Sequence, residues 1–298
     1  MKKSKKFVVA GLVLLAAITG LLALTGCKTD VDTSSPQQEQ PGDTDNGNND
    51  NDASVITTGD PAAFITEITA AGTYTLVATK ECTDTAAIKE ALGALARRQP
   101  DARIHLNLSQ SGITSIGYSA FEGCSSLASV TFAEGSRLGM IGDAAFRGCT
   151  SLVSVEIPTL VTSIEEAAFS RCSSLASVEI PSSVTRIVNS AFGGCSSLAS
   201  VTFAEGSRLG MIGDDAFNGC RSLVSVEIPS SVTRIGNGAF GGCLKLSTVK
   251  VEAETPPALG TNVFFTHPDL KIQVPRSSEG YYTSAENWSA YKIEAITP

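Results

Sequence analysis

The chain has 298 residues, 42% of them hydrophobic, and a formal charge of −8 at pH 7. Such an acidic chain has no electrostatic footprint for nucleic acid, which excludes DNA and RNA as partners. It has only two histidines and neither a glycine-rich phosphate loop nor a nucleophile or metal-ligand pattern, so it reads as no enzyme, with no cofactor and no metal.

Residues 1–26 read as a lipoprotein signal peptide. Lys2, Lys3, Lys5 and Lys6 make a positive start, Phe7 to Leu24 is almost wholly apolar, and Leu24-Thr25-Gly26-Cys27 closes the segment. The apolar run is near the lower limit for a membrane span and is diluted by Gly11, Thr19 and Gly20, which favours cleavage over spanning. The closing four residues resemble the lipobox of bacterial lipoproteins, whose cysteine is acylated and becomes the mature N-terminus. That resemblance makes Cys27 the lipidation site and the membrane anchor. Losing four lysines and no acids takes the charge from −8 to −12.

Residues 27–53 read as a disordered tether of Asp, Asn, Gly, Ser, Gln, Glu and Pro, too polar to offset its ordering entropy. A flexible coil of that length reaches about 28 Å. Residues 54–103 read as a small α/β N-terminal cap. Helices are expected over Pro61 to Ala70 and Thr85 to Arg98, the latter with Ala87, Ile88, Ala91, Leu92 and Leu95 near a 3.6 period, and a strand over Thr73 to Thr79.

Residues 104–275 repeat. Ala-Phe recurs at Phe121, Phe146, Phe169, Phe192, Phe217 and Phe240, at intervals of 25, 23, 23, 25 and 23 residues. A cysteine follows each by three positions (Cys124, Cys149, Cys172, Cys195, Cys220, Cys243) and a leucine by six (Leu127, Leu152, Leu175, Leu198, Leu223, Leu246). A short strand follows each leucine, with inward pairs such as Val130/Phe132, Val155/Ile157 and Val178/Ile180. Leu106/Leu108 and Ile272/Val274 extend the register to eight strands. One such unit cannot bury its narrow apolar stripe alone, but stacked units can. The expected fold is an α/β repeat solenoid, a right-handed superhelix rich in β structure. Short helical turns at the Ala-Phe segments and an internal ladder of phenylalanines are part of that expectation. Residues 276–298, with Tyr281, Tyr282, Trp288 and Tyr291, close the array as a C-terminal cap.

The pattern Ile-Pro-x-x-Val-Thr-x-Ile-x-x-x-Ala-Phe-x-x-Cys-x-x-Leu-x-x-Val resembles the BspA-type leucine-rich repeats of bacterial surface proteins. The resemblance covers roughly residues 104–275 and implies an exported protein that attaches to host matrix proteins or to other bacteria. Residues 124–158 and 195–229 differ only at Ala144/Asp215, Arg147/Asn218 and Thr150/Arg221, which points to duplication of a three-repeat block.

Few residues carry candidate chemistry. His105 alternates with apolar neighbours and reads as solvent-facing, and His267 stands in no pattern. The repeated cysteines would stack within disulfide reach, yet each lies between apolar Phe and Leu, where a small buried thiol packs well. Glu156, Glu179 and Glu227 recur as scaffold positions, not as a tuned carboxylate pair. In a leucine-rich repeat the residues flanking the inward pair face the concave side. One candidate row is Ser129, Ser154, Ser177, Ser200, Ser225 and Thr248, and the next is Thr131, Glu156, Glu179, Thr202, Glu227 and Lys250. Neither has the Trp, Tyr or Arg that dominate binding hot spots. Arg137, Arg186, Arg208 and Arg234 would form a basic edge, and the aromatic C-terminal cap is a second candidate surface. The expected function is a lipid-anchored protein of the outer membrane or cell surface that binds host matrix proteins or other bacterial surface proteins, with no oligomeric state implied. The alternative is a structural spacer of the envelope with no host ligand.

Overall fold

In the computed structural model, residues 54–58, 68–264 and 270–296 are described. The expected signal, Cys27, the expected tether and His267 lie outside them, as does most of the expected helix over Pro61 to Ala70; its last residues, Ile68 to Ala70, form no helix.

The cap opens with β1 (Ser54–Thr58) and β2 (Thr73–Ala78), followed by α1 (Thr85–Arg98) and β3 (Arg103–Asn107). Asp84 caps α1 by accepting a hydrogen bond from the Ala86 amide at 2.9 Å, and Ile88, Ala91, Leu92 and Leu95 form its buried stripe. The helix is hooked onto the first coil by the Lys89 ammonium, which donates to the Ser119 carbonyl at 2.7 Å. β1, β2 and β3 pair in parallel and continue directly into the repeats, so the cap supplies two further rungs of the same ladder.

From there the chain winds through coils that each place a strand on one long face and a shorter strand on a second. The long-face strands are β4 (Leu127–Thr131), β6 (Ser154–Val155), β8 (Ser177–Ile180), β10 (Ser200–Phe203), β12 (Ser225–Ile228), β14 (Thr248–Val251) and β16 (Lys271–Val274). With β3 they make the eight expected strands. The second face was not anticipated. It is a six-stranded parallel sheet of two-residue strands: β5 (Met140–Ile141), β7 (Ser163–Ile164), β9 (Arg186–Ile187), β11 (Met211–Ile212), β13 (Arg234–Ile235) and β15 (Ala258–Leu259). Its isoleucines are fully buried from Ile141 to Ile235.

The Ala-Phe segments form hydrogen-bonded turns instead of short helices. Each coil from the second to the sixth carries two left-handed residues: one before the Ala-Phe pair (Ala144, Ala167, Ser190, Asp215, Gly238) and one before the cysteine (Gly148, Arg171, Gly194, Gly219, Gly242). A backbone that alternates hand cannot propagate a helix. It turns successive amides towards the next coil instead, as in Phe146 N–H to Ala168 at 2.7 Å and Gly148 N–H to Ser170 at 2.8 Å. The phenylalanines stack as expected, with centroids 5.1–5.3 Å apart from Phe121 to Phe240, and Phe264 adds a seventh ring at 5.5 Å. Phe132 and Phe203, read as inward-facing, are only half-buried.

The C-terminal cap contributes α2 (Glu279–Ser284) and β17 (Ile293–Ala295), which pairs in parallel with β16. Trp288 and Tyr282 are fully buried, and each donates to a main-chain carbonyl: Nε1 to Pro257 at 2.7 Å and Oη to Ala253 at 2.8 Å. These aromatics seal the end of the ring stack; Tyr281 alone among them is well exposed.

Candidate functional site

Strand alternation makes the long face a display surface. Val130, Val155, Val178, Val201, Val226 and Val249 point inward and are buried, so their neighbours point out. Parallel pairing sets Ser129 opposite Ser154, Ser177 opposite Ser200 and Ser225 opposite Thr248, and sets Thr202 opposite Glu179 and Glu227 opposite Lys250. Ser154, Ser177, Ser200 and Ser225 of the first row are exposed, as are Thr131, Glu156, Glu179, Thr202 and Glu227 of the second; Ser129, Thr248 and Lys250 are half-buried. Both rows run on beyond the predicted residues, to His105 and Asn107 at one end and Lys271 and Gln273 at the other. His105 is half-buried and is hydrogen-bonded through Nδ1 to the Ser129 hydroxyl at 2.6 Å, a link that alternation alone did not suggest.

The ladder under these rows is not uniform. It is interrupted between β6 and β8 and again between β10 and β12. One contribution comes from the residue after the second inward position of each coil. Where it has an amide it donates to the previous coil, as Ala204 does to Ile180 at 2.9 Å and Glu252 to Ile228 at 3.0 Å, and β8–β10 and β12–β14 each pair over four residues. After β8, β12 and β16 that residue is Pro181, Pro229 or Pro275, and in the coil of β6 the equivalent residue is Pro158; none has an N–H to give. β4–β6 then pairs over two residues, β14–β16 over three, and the other two junctions not at all. Charge acts in the same direction. Glu156 and Glu179 occupy the same position in successive coils across the first break, whereas Lys250 is ion-paired with both Glu227 and Glu252 where pairing is complete.

The second break opens into a cleft of about 640 Å³, lined on the long face by Ser200, Thr202, Phe203, Ser225, Glu227 and Glu252 and at its edge by Glu205 and Pro229. A shallower polar depression of about 430 Å³ lies on the turn face, where Gly238, Gly241 and Gly242 remove side chains between Asp214, Asp215, Asn218 and Asn237.

The expected basic edge is not one row. Arg186 and Arg234 stand in the second sheet on either side of Met211, with Arg186 paired to Glu165 at 3.3 Å. Arg208 lies in the loop before that sheet, where its amide donates to Ser182. The described cysteines are buried and none is joined to another in a disulfide. From Cys149 to Cys243 each thiol donates to the phenylalanine carbonyl of the preceding coil at 3.0–3.3 Å. Burial pushes the Cys124 thiol up to about 11 and the Cys195 thiol up to about 12, so neither is a nucleophile at neutral pH. Among the described residues no group of His, Cys, Asp and Glu could hold a metal ion, and no helix is long and apolar enough to cross a membrane.

Comparison with known proteins gives a family. The model of the BspA type leucine rich repeat region matches residues 104–210 and 200–285 in six copies. Among solved structures, a leucine-rich repeat protein of T. pallidum is 31% identical over 64% of this chain and 86% of its own, with a TM-score of 0.52. A leucine-rich repeat protein from Bacteroides ovatus is 24% identical, covering 61% of this chain and 55% of its own at a TM-score of 0.37. A leucine rich cell surface protein from Faecalibacterium prausnitzii is 22% identical, covering 66% and 79% at 0.36. No curated protein matches the chain.

Proposed function

Because the chain belongs to the BspA-type leucine-rich repeat family, we propose that it is a protein-binding module held at the bacterial surface, where it attaches to host matrix proteins or to the surface proteins of other cells. The observation that carries this reading is the pair of outward rows. Ser154, Ser177, Ser200 and Ser225, with Glu156, Glu179 and Glu227 beside them, repeat on a rigid strand face at the rung spacing. Serine hydroxyls lose little rotamer freedom on contact and leave main chain within reach of a partner, and the glutamates beside them supply charge. In this reading the anchor is a lipid on Cys27, and residues 27–53 carry the solenoid away from the membrane.

The test presents the full-length protein to immobilised matrix proteins and to whole bacterial cells. Retention should be lost when bulk is added to the rows by Ser177→Trp and Ser200→Trp, with the circular dichroism melt unchanged. Retention that survives both substitutions would place binding elsewhere. Separately, Cys27→Ser should move the protein from the detergent phase to the aqueous phase on phase partitioning; continued partitioning into detergent would show another anchor.

A further inference from the structure

The two copies of the duplicated block are nearly identical in sequence yet differ at one place. In the first copy the Val153 amide donates to the Ala128 carbonyl of the preceding coil at 2.9 Å, and β4 pairs with β6. The same bond is made by Ala176 to Val153, Ala199 to Ala176 and Ser247 to Val224. In the second copy its counterpart, from Val224 to Ala199, is not made, and β10 and β12 are unpaired. Pro158 and Pro229 are equivalent, so proline alone does not separate the copies. Within the copies only Ala144/Asp215, Arg147/Asn218 and Thr150/Arg221 differ, and a further difference lies in the following coil. Glu227 is tied forward to Lys250, whereas the residue at that position after its equivalent Glu156 is another carboxylate, Glu179. β12 is held to β14 on one side and left open on the other.

The opening carries its own recognition chemistry. Ala199 and Ser200 to Phe203 line one side of the cleft at the strand break, and Ser225 and Glu227 line the other. Phe203 is half-buried in its wall, and Glu205, Glu227 and Glu252 are exposed at its rim. Lys250 engages Glu227 and Glu252, while Glu205 makes no ion pair among the described residues. A cationic side chain complements a carboxylate rim on an acidic protein.

We propose that the cleft over the β10–β12 junction is the subsite that takes a lysine- or arginine-bearing segment of the protein partner. This rests on the protein-binding reading above and names the part of the strand face that does the selecting. The duplication supplies an internal control, because Glu134 and Glu156 are the equivalents of Glu205 and Glu227 at the junction that stays paired.

The experiment measures fluorescence anisotropy of a labelled octapeptide alternating lysine and threonine against the full-length protein, with an alternating glutamate–threonine octapeptide as the counter-probe. The lysine peptide should bind and the glutamate peptide should not. Glu205→Gln should weaken binding about fivefold, whereas its equivalent Glu134→Gln, an identical change in net charge, should change it less than about twofold. Equal losses in the two variants would mean diffuse attraction to an acidic surface and would overturn the subsite, as would no binding of the lysine peptide. If natural ligands are still retained and are lost on Ser177→Trp, the display reading stands while the subsite falls.

Discussion

The turn side and the strand side of each coil are built from the same residues in series but to opposite ends. On the turn side the coils from the second to the sixth repeat the same device: a ring about one rung from the next, a thiol donating to the previous coil, and amides aimed at the following one. On the strand side the inward valines are equally constant, but the hydrogen-bonded ladder is cut at two junctions and the outward residues change sign from Glu156 to Lys250. Stacking is thus secured on the face that shows no chemistry, which leaves the display face free to lose rungs. In a solenoid whose coils contact only their neighbours, such a division lets one face vary without unwinding the other.

Alkaline pH should break the turn side most severely. Cys124, Cys149, Cys172, Cys195 and Cys220 all have pKa values raised above 9.0; burial is the leading cause for the first four, and for Cys220 it is a hydrogen bond with Cys243, followed by burial. A raised folded pKa means that the stabilisation is complete below the unfolded value, near pH 9, and is lost as pH rises from there through the folded values. By pH 10 the loss should be about 1.4 kcal/mol for each such thiol. Denaturant unfolding between pH 8 and pH 10 measures it, and Cys172→Ala with Cys195→Ala should flatten the slope. An unchanged slope in that variant would show that the thiols are not the cause.

Phe169→Ala opens the ring stack at its centre and should cost about 3–5 kcal/mol, against no more than about 0.5 kcal/mol for Glu179→Ala on the display face. Chemical denaturation of the two variants compares the faces directly, and similar values would erase the distinction. A smaller gain is available where the turn side departs from its own rule. Arg171 holds φ 60° at a position that is glycine in the neighbouring coils. Arg171→Gly should therefore raise stability by about 0.5–1 kcal/mol after the added chain entropy is counted. The smallest expected effect is on the strand side. Pro181→Ala restores a donor towards Ile157, worth about 1 kcal/mol, and loosens the unfolded chain by nearly as much, so the melt should hardly move. Hydrogen exchange should nonetheless find a newly protected amide at position 181; fast exchange there would mean that proline is not what interrupts the ladder.

The register of Phe, Cys and Leu was legible because three large or distinctive residues recur at fixed offsets, and the outward rows followed from alternation about the valines. The second sheet was not, because two-residue strands such as Arg186–Ile187 are too short to alternate. The continuation of the ladder into β2 escaped notice because Thr73–Ala78 carries none of the repeat's marks. The turns were misread as helical since nothing in Ala144 or Ala167 announces a positive φ; neighbouring coils impose it. The ladder breaks had a signal in plain view, the proline after each isoleucine, whose missing N–H matters only once the preceding coil is known to present a carbonyl there. The cleft between β10 and β12 depends on Lys250 and Glu227 meeting across coils, a relation between repeats that reading them one at a time does not expose.

The exact register of the duplicated block has a consequence for how the molecule changes size. Because the two copies enter and leave at the same point of the coil, at Gly123 and Gly194, inserting or excising one block leaves every ring facing a ring and every thiol facing a carbonyl. Length therefore behaves as a counted quantity, altered by whole blocks of three coils, or about 14 Å at the ordinary rung spacing. Each such event would also replicate a display surface, and whether the new copy opens or stays shut would be decided by the coil that happens to follow it.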